Sequence, residues 1–222
     1  MAQSPIDAIL SDVAANNSSI KSTCEVTVNG LKENWVDVTD TYIANPRFEK
    51  NSNQGWTFYA NAGSTACSFE TMEFWNGTFN IYQTLEVPNG KYRLSAQAFY
   101  RTTSHEAGYN AYNNGTENIT VYLYANQNTQ PVASIYSDHL SSQGPGAYYI
   151  PKYDEYYPNS MESGAHYFEQ GFYQNSVITE VTDGMLTIGL INEKFVSNNW
   201  CMFDNFKLEY CGEIVPATSI AL

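Results

Sequence analysis

The sequence predicts an all-β fold, an antiparallel β-sandwich of the jelly-roll kind, from three observations. Short runs of alternating apolar and polar residues recur along the chain, as in Phe79 to Val87, Lys91 to Arg101 and Met185 to Asn192. Turn residues punctuate them: Asn61-Ala62-Gly63, Asn76-Gly77, Pro88-Asn89-Gly90 and Thr182-Asp183-Gly184. Helical spacing is confined to the N-terminal stretch.

In order, Ile6, Ile9, Leu10 and Val13 predict one short amphipathic helix within Pro5 to Ile20, followed by a polar loop. Cys24 to Val28 and Val36 to Ile43 read as extended. From Gly55 onward the strands are Trp56 to Ala60, Ala66 to Trp75, Phe79 to Val87 and Lys91 to Arg101, then Ile119 to Ala125, Val177 to Val181 and Met185 to Asn192. The stretches around Asn89-Gly90 and Asp183-Gly184 read as hairpins. The last strand, Trp200 to Tyr210, alternates with Trp200, Met202, Phe206, Leu208 and Tyr210 on one face, and Asp204 shares their parity. An inward carboxylate there needs a partner or a cation. Three divisions follow: 1–35 as N-terminal helix and strap, 36–212 as the sandwich, and 213–222 as a linker or the start of another domain.

Two long interruptions, Thr102 to Asn118 and Ser137 to Asn175, break the strand rhythm. The second holds many of the 18 Tyr of the 222-residue chain, and aromatic loops of this length are usually functional rather than disordered. The net charge of −13, with 10 basic residues and no basic run, disfavours nucleic acid, anionic membranes and, unless a bound cation intervenes, strongly polyanionic glycans. No apolar run reaches membrane-spanning length, and no signal peptide is visible. The start Met1-Ala2-Gln3-Ser4-Pro5 reads as one placed after a removed leader, so the expected location is secreted, periplasmic or cell-surface. Cys24, Cys67, Cys201 and Cys211 lack zinc spacing. A Cys24–Cys211 disulfide and buried free thiols both remain open.

Three groups of residues resemble the galactose-binding-like jelly-roll modules of bacterial glycan-degrading and surface glycan-binding proteins. They are Asn45-Pro46-x-Phe48-Glu49 with Gly55-Trp56, then Pro88-Asn89-Gly90-Lys91-Tyr92-Arg93-Leu94, and lastly Asp204-Asn205-Phe206-Lys207-Leu208. The resemblance implies that the first and last segments meet, with a structural calcium held by Glu49 and Asp204 and assisted by Asn45. Alternatively, Asp204 caps backbone N–H groups and Glu49 is solvated. It also implies a non-catalytic carbohydrate-binding module within a larger protein. The tail from Glu213 resembles a linker into a bacterial Ig-like domain.

A neutral glycan presents C–H patches and hydroxyls, so its site needs flat rings with polar edges. The residues that fit are Tyr109, Tyr112, Tyr148, Tyr149, Tyr153, Tyr156 and Tyr157 as stacking rings, and Arg101, Asn110, Asn113 and Asp154 as polar partners. Trp56 and Trp200 read as core, whereas Trp75 fits either side. A glycoside hydrolase would draw two carboxylates from Asp154, Glu155, Glu162 and Glu169. A polysaccharide lyase would draw on Arg101, His105, His139 and His166. A spacer or protein-interaction domain is the third reading, and it predicts a buried or flat Tyr-rich loop.

Overall fold

The computed structural model describes residues 34–138, 148–150 and 155–212. The predicted N-terminal helix, Cys24, Tyr153, Asp154, His139 and the tail from Glu213 lie outside them.

The chain forms a β-sandwich. Its elements are β1 (Val36–Asp37), α1 (Thr39–Tyr42), β2 (Thr57–Asn61), β3 (Ser64–Ser68), β4 (Thr71–Trp75), β5 (Thr78–Glu86), β6 (Gly90–Arg101), α2 (His105–Asn113), β7 (Val121–Ala125), β8 (Asn128–Pro131), β9 (Ala133–Ser134), β10 (Tyr148–Ile150), β11 (Glu155–Tyr157), α3 (Met161–Glu169), β12 (Gln174–Val181), β13 (Met185–Asn192) and β14 (Trp200–Tyr210). One sheet runs β12-β6-β14-β4-β3, with β1 against β14 and β9 against β6; the facing sheet runs β2-β5-β13-β7-β8. Between them lies a core that includes Phe74 and Phe79, stacked at 4.2 Å, with Phe203, Ile81, Leu94, Leu190 and Leu208. Burial of these side chains is the main force closing the sandwich.

Both turns read as hairpins instead carry the chain from one sheet to the other. β5 pairs with β2 and β13, whereas β6 pairs with β12 and β14. The turns lock together, because Gly184 N donates to Asn89 Oδ1 at 2.9 Å and Val87 N donates to Gly184 O at 2.9 Å. The long Ala66–Trp75 strand is itself the hairpin β3–β4, turning at Phe69 and Glu70, both with φ of 54°.

The ends meet. Phe206 N donates to Pro46 O at 3.0 Å, and Phe48 packs on Trp56, Phe203 and Phe206. The parity expected of β14 fails at this junction. A bulge between Asp204 and Lys207 shifts the register, and Asn205 takes a left-handed φ of 51°. Phe206 and Leu208 therefore join the central core, while Trp200 and Met202 turn to the outer face of the sheet.

That outer face carries a second core, and this is where the long interruptions go. They are not bare loops: α2 forms in the first, and β10, β11 and α3 form in the second. Phe99, Trp200 and Met202 of the sheet pack with Tyr109, Ile135, Tyr136, Tyr157, Tyr167, Phe168 and Tyr173. Tyr rather than Phe suits these places because the hydroxyls reach backbone carbonyls: Tyr136 to His105 at 2.9 Å, Tyr167 to Tyr156 at 2.8 Å and Tyr173 to Ile135 at 2.8 Å. Gln97 fastens the layer to the sheet, donating to the carbonyls of Phe168 and Phe172, each at 2.8 Å.

Candidate ligand-binding groove

Across the outer face, four residues stand in one row on neighbouring strands. Arg101 of β6 faces Trp200 of β14, which faces Trp75 of β4, which faces Ser64 of β3. Side chains at paired positions share a face, so this row forms a strip at the edge of the second core. Tight turns fix its geometry. Gly77 N donates to Asn199 Oδ1 at 2.9 Å, and Asn198 N donates to Asn76 Oδ1 at 2.8 Å, tying the residues after Trp75 to those before Trp200.

Trp200 is the buried hub, 4% exposed, whereas Trp75 is 40% exposed. The Trp200 indole N–H donates to Glu73 Oε2 at 2.7 Å. The Arg101 guanidinium lies over the Trp200 ring, 5.3 Å from its centroid. Nη1 of Arg101 donates to Asn159 Oδ1 at 3.4 Å, and His105 Nε2 lies 3.1 Å from the same oxygen. Burial pushes the Glu73 carboxyl up from its ordinary range, opposed by the Trp200 N–H. Burial, with Arg101 nearby, lowers His105 to about 3, so that imidazole is neutral.

The wall opposite the sheet is the start of α3. Ser160 caps it, its Oγ accepting from Ser163 N at 3.1 Å, and the Ser163 hydroxyl accepts from Ser160 N in return. Strip and helix end enclose a groove of about 340 Å³, lined by Ser64, Glu73, Trp75, Arg101, Asn159, Ser160, Met161 and Trp200. An exposed indole face with donors and acceptors at its edge suits a ligand having both a C–H surface and hydroxyls. A larger groove of about 500 Å³ on the same sheet, lined by residues such as Arg93, Ser95, Lys207 and Glu209, has no aromatic ring in its lining.

Of the residues expected from the sequence, Arg101 lines this groove, although it is buried rather than projecting into solvent. Tyr109 and Tyr157 are 5% and 1% exposed. Their rings lie 5.8 Å apart in the second core, so the free stacking faces expected of them are absent. Tyr149 and Tyr156 stack on each other at 4.5 Å across β10 and β11, leaving Tyr149 38% exposed. Tyr148 pairs in register with Tyr157. Tyr112 is 38% exposed and packs on Tyr136, and Asn110 and Asn113 are exposed on α2. Among the described residues, Trp75, Glu73 and Asn159 complete the groove and were not singled out as site residues. The signal for Trp75 was its place at a strand end beside a turn.

The junction of the chain ends forms a second polar feature. Asp204 is 8% exposed, and its Oδ1 has no hydrogen-bond partner. Burial pushes its pKa up to about 8, opposed by a hydrogen bond from the Asn205 backbone and by the charge of Arg47, with the charges of Glu70 and Glu49 adding. The adjoining loop is tightly wound, with left-handed φ at Asn45, Phe48, Lys50 and Asn51. Asn45 holds this loop rather than pointing a spare oxygen outward: its Oδ1 accepts from Glu49 N at 2.8 Å and its Nδ2 donates to Ser52 O at 2.6 Å. A buried carboxyl with one unpartnered oxygen, within the field of Glu70 and Glu49, suits a hard divalent cation. Among the described residues no three His, Cys, Asp or Glu side chains converge as a metal cluster, so carbonyls or water would supply the other ligands.

No family model matches the sequence, and no curated protein matches it. Among solved structures, the chain is similar to TmCBM61 in complex with beta-1,4-galactotriose, at 15% identity and a TM-score of 0.37, covering 75% of this chain and 96% of that chain.

Proposed function

We propose that this protein is a non-catalytic carbohydrate-binding module that takes up a glycan in the groove over Trp75. The observation that carries this reading is the row Arg101–Trp200–Trp75, in which the exposed Trp75 ring lines one groove with the guanidinium and the Glu73 carboxylate that engage its neighbour Trp200. The sugar's C–H face rests on Trp75. Its hydroxyls exchange hydrogen bonds with Glu73, Arg101, Asn159 and Ser160. The exposed Tyr149 offers a further ring for a longer chain. Affinity is about micromolar to millimolar, or roughly −4 to −8 kcal/mol, and repeated copies or neighbouring modules of a larger secreted or surface protein would compensate.

Calcium belongs to the same proposal as a structural ion at the junction, held by Asp204 and Glu49 with Glu70 close by. Bound there, it would neutralise the Asp204 carboxylate and fix the wound loop from Asn45 to Asn51.

Affinity electrophoresis of the protein through gels containing neutral and acidic polysaccharides tests the function. Retardation that disappears in Trp75→Ala while the protein stays folded supports it. Release of reducing or unsaturated sugars from any of these polysaccharides would replace it with an enzymatic role.

A further inference from the structure

A charged side chain removed from water needs a counter-charge or a full set of hydrogen-bond acceptors. Arg101 is 9% exposed, and its Nε has no partner. Its hydrogen bond runs to a neutral amide oxygen at 3.4 Å, and its guanidinium lies over the face of Trp200. No carboxylate among the described residues pairs with it. Glu73, the acid of the same groove, is engaged by the Trp200 N–H at 2.7 Å. A guanidinium keeps its charge under such burial. The groove therefore holds a buried guanidinium that no described carboxylate pairs with, in the same lining as an exposed indole.

We propose that Arg101 is the receptor for a carboxylate carried by the bound glycan, so that the ligand is a chain containing a uronic acid or similarly carboxylated sugar. This rests on the glycan reading of the groove and narrows it. The planar fork of Arg101 matches a carboxylate, and charge-assisted hydrogen bonds of this type are the strong ones. The chain's net charge of −13 repels a densely charged polyanion. The ligand is accordingly an isolated acidic residue in an otherwise neutral polymer. This differs from the neutral glycan that composition suggested, because a summed charge does not register one buried cation lacking a partner.

The test titrates tryptophan fluorescence with oligosaccharides cut from glucuronoxylan and from an arabinogalactan bearing terminal glucuronic acid, each native and after reduction of its carboxyl groups to primary alcohols. The native form of the bound ligand should bind about ten- to a hundred-fold more tightly than its reduced form, the range for a charge-assisted hydrogen bond. Arg101→Gln should bind both forms alike, Arg101→Lys should keep part of the difference, and added salt should narrow it. Thermal melts establish that the variants fold; if Arg101→Gln does not, Arg101→Lys and the salt dependence decide. Equal wild-type affinity for the two forms overturns the assignment, as does an acid preference that survives in Arg101→Gln. If both forms bind equally and Trp75→Ala abolishes both, the glycan site stands and the carboxylate receptor falls. If neither form binds, nor any neutral polysaccharide in the gels, both readings fall.

Discussion

The indole N–H of Trp200 points at the Glu73 carboxylate across 2.7 Å, one strand over, and Trp200 is 4% exposed. That contact joins the second core to the groove: the ring that fills the aromatic layer also orients the acid at the groove's edge. Positions beneath the groove and positions in its wall should therefore respond differently to substitution.

Replacing Trp75 by Ala should abolish binding while leaving the fold intact. The residue is 40% exposed, so less packing is lost than at a fully buried Trp, about 1–2 kcal/mol, and the melting temperature should fall by roughly 2–8 °C. Trp200→Ala should instead cost about 3–5 kcal/mol, as expected for emptying a packed aromatic site. Chemical denaturation alongside affinity electrophoresis separates the two; matching losses of stability would show that Trp75 is also a packing residue.

The junction predicts a pH dependence that calcium removes. Without metal, burial raises the Asp204 pKa to about 8 from its ordinary 3.8. The folded state then binds more protons than the unfolded state between these values. Its stability is fully present below the unfolded pKa and is lost as pH rises through the folded one. Chelated protein should thus melt progressively lower from pH 5 to pH 8, millimolar calcium should flatten the trend, and Asp204→Asn should lack both effects. Melting curves unchanged by calcium and by chelator across that range would refute the ion.

Gly164→Ala should destabilise, against the helix propensity of the change. Ala favours a helix interior over Gly by about 1 kcal/mol. A Cβ here, however, would stand 2.2 Å from Met202 Sδ, and Met202 is fully buried, 0% exposed. Overpacking of this kind costs roughly 1–3 kcal/mol. Denaturant midpoints give the sign, and a higher midpoint would mean that α3 is free to lift from the sheet.

Phe48→Ala should be among the most damaging single changes, losing about 3–5 kcal/mol. The ring is 0% exposed and meets Trp56, Phe203 and Phe206. Loss of its packing would also loosen the carboxylates beside it, so calcium stabilisation should shrink in the same variant. Differential scanning calorimetry with and without calcium reads both.

The sandwich and the meeting of its ends were legible because strand alternation and the Asn45–Glu49 and Asp204–Leu208 segments are local patterns with fixed chemistry. The destination of a turn was not. Asn89-Gly90 bends the chain in either case, and whether the next strand stays in its sheet depends on partners far away in sequence, such as Val177 against Leu94. The bulge after Asp204 was invisible for a related reason: with both faces of Trp200–Phe203 buried, apolar residues occur at both parities and no alternation marks the slip. The same two-sided burial hid the role of the tyrosines. A Tyr in a long insertion reads alike whether its hydroxyl meets solvent or, as in Tyr173, the carbonyl of Ile135 at 2.8 Å. Trp75 emerged once its cross-strand neighbours were known.

The groove is built from two kinds of material. Its base is borne on paired strands, whereas Asn159, Ser160 and Met161 belong to the segment leading into α3. Residues of the second kind are open to exchange without disturbing either sheet. With Ser160 kept as the cap of α3, a library varied at Asn159 and Met161 on a constant base should therefore yield proteins that sort among different sugars while both sheets stay intact, making this scaffold a practical starting point for new lectins.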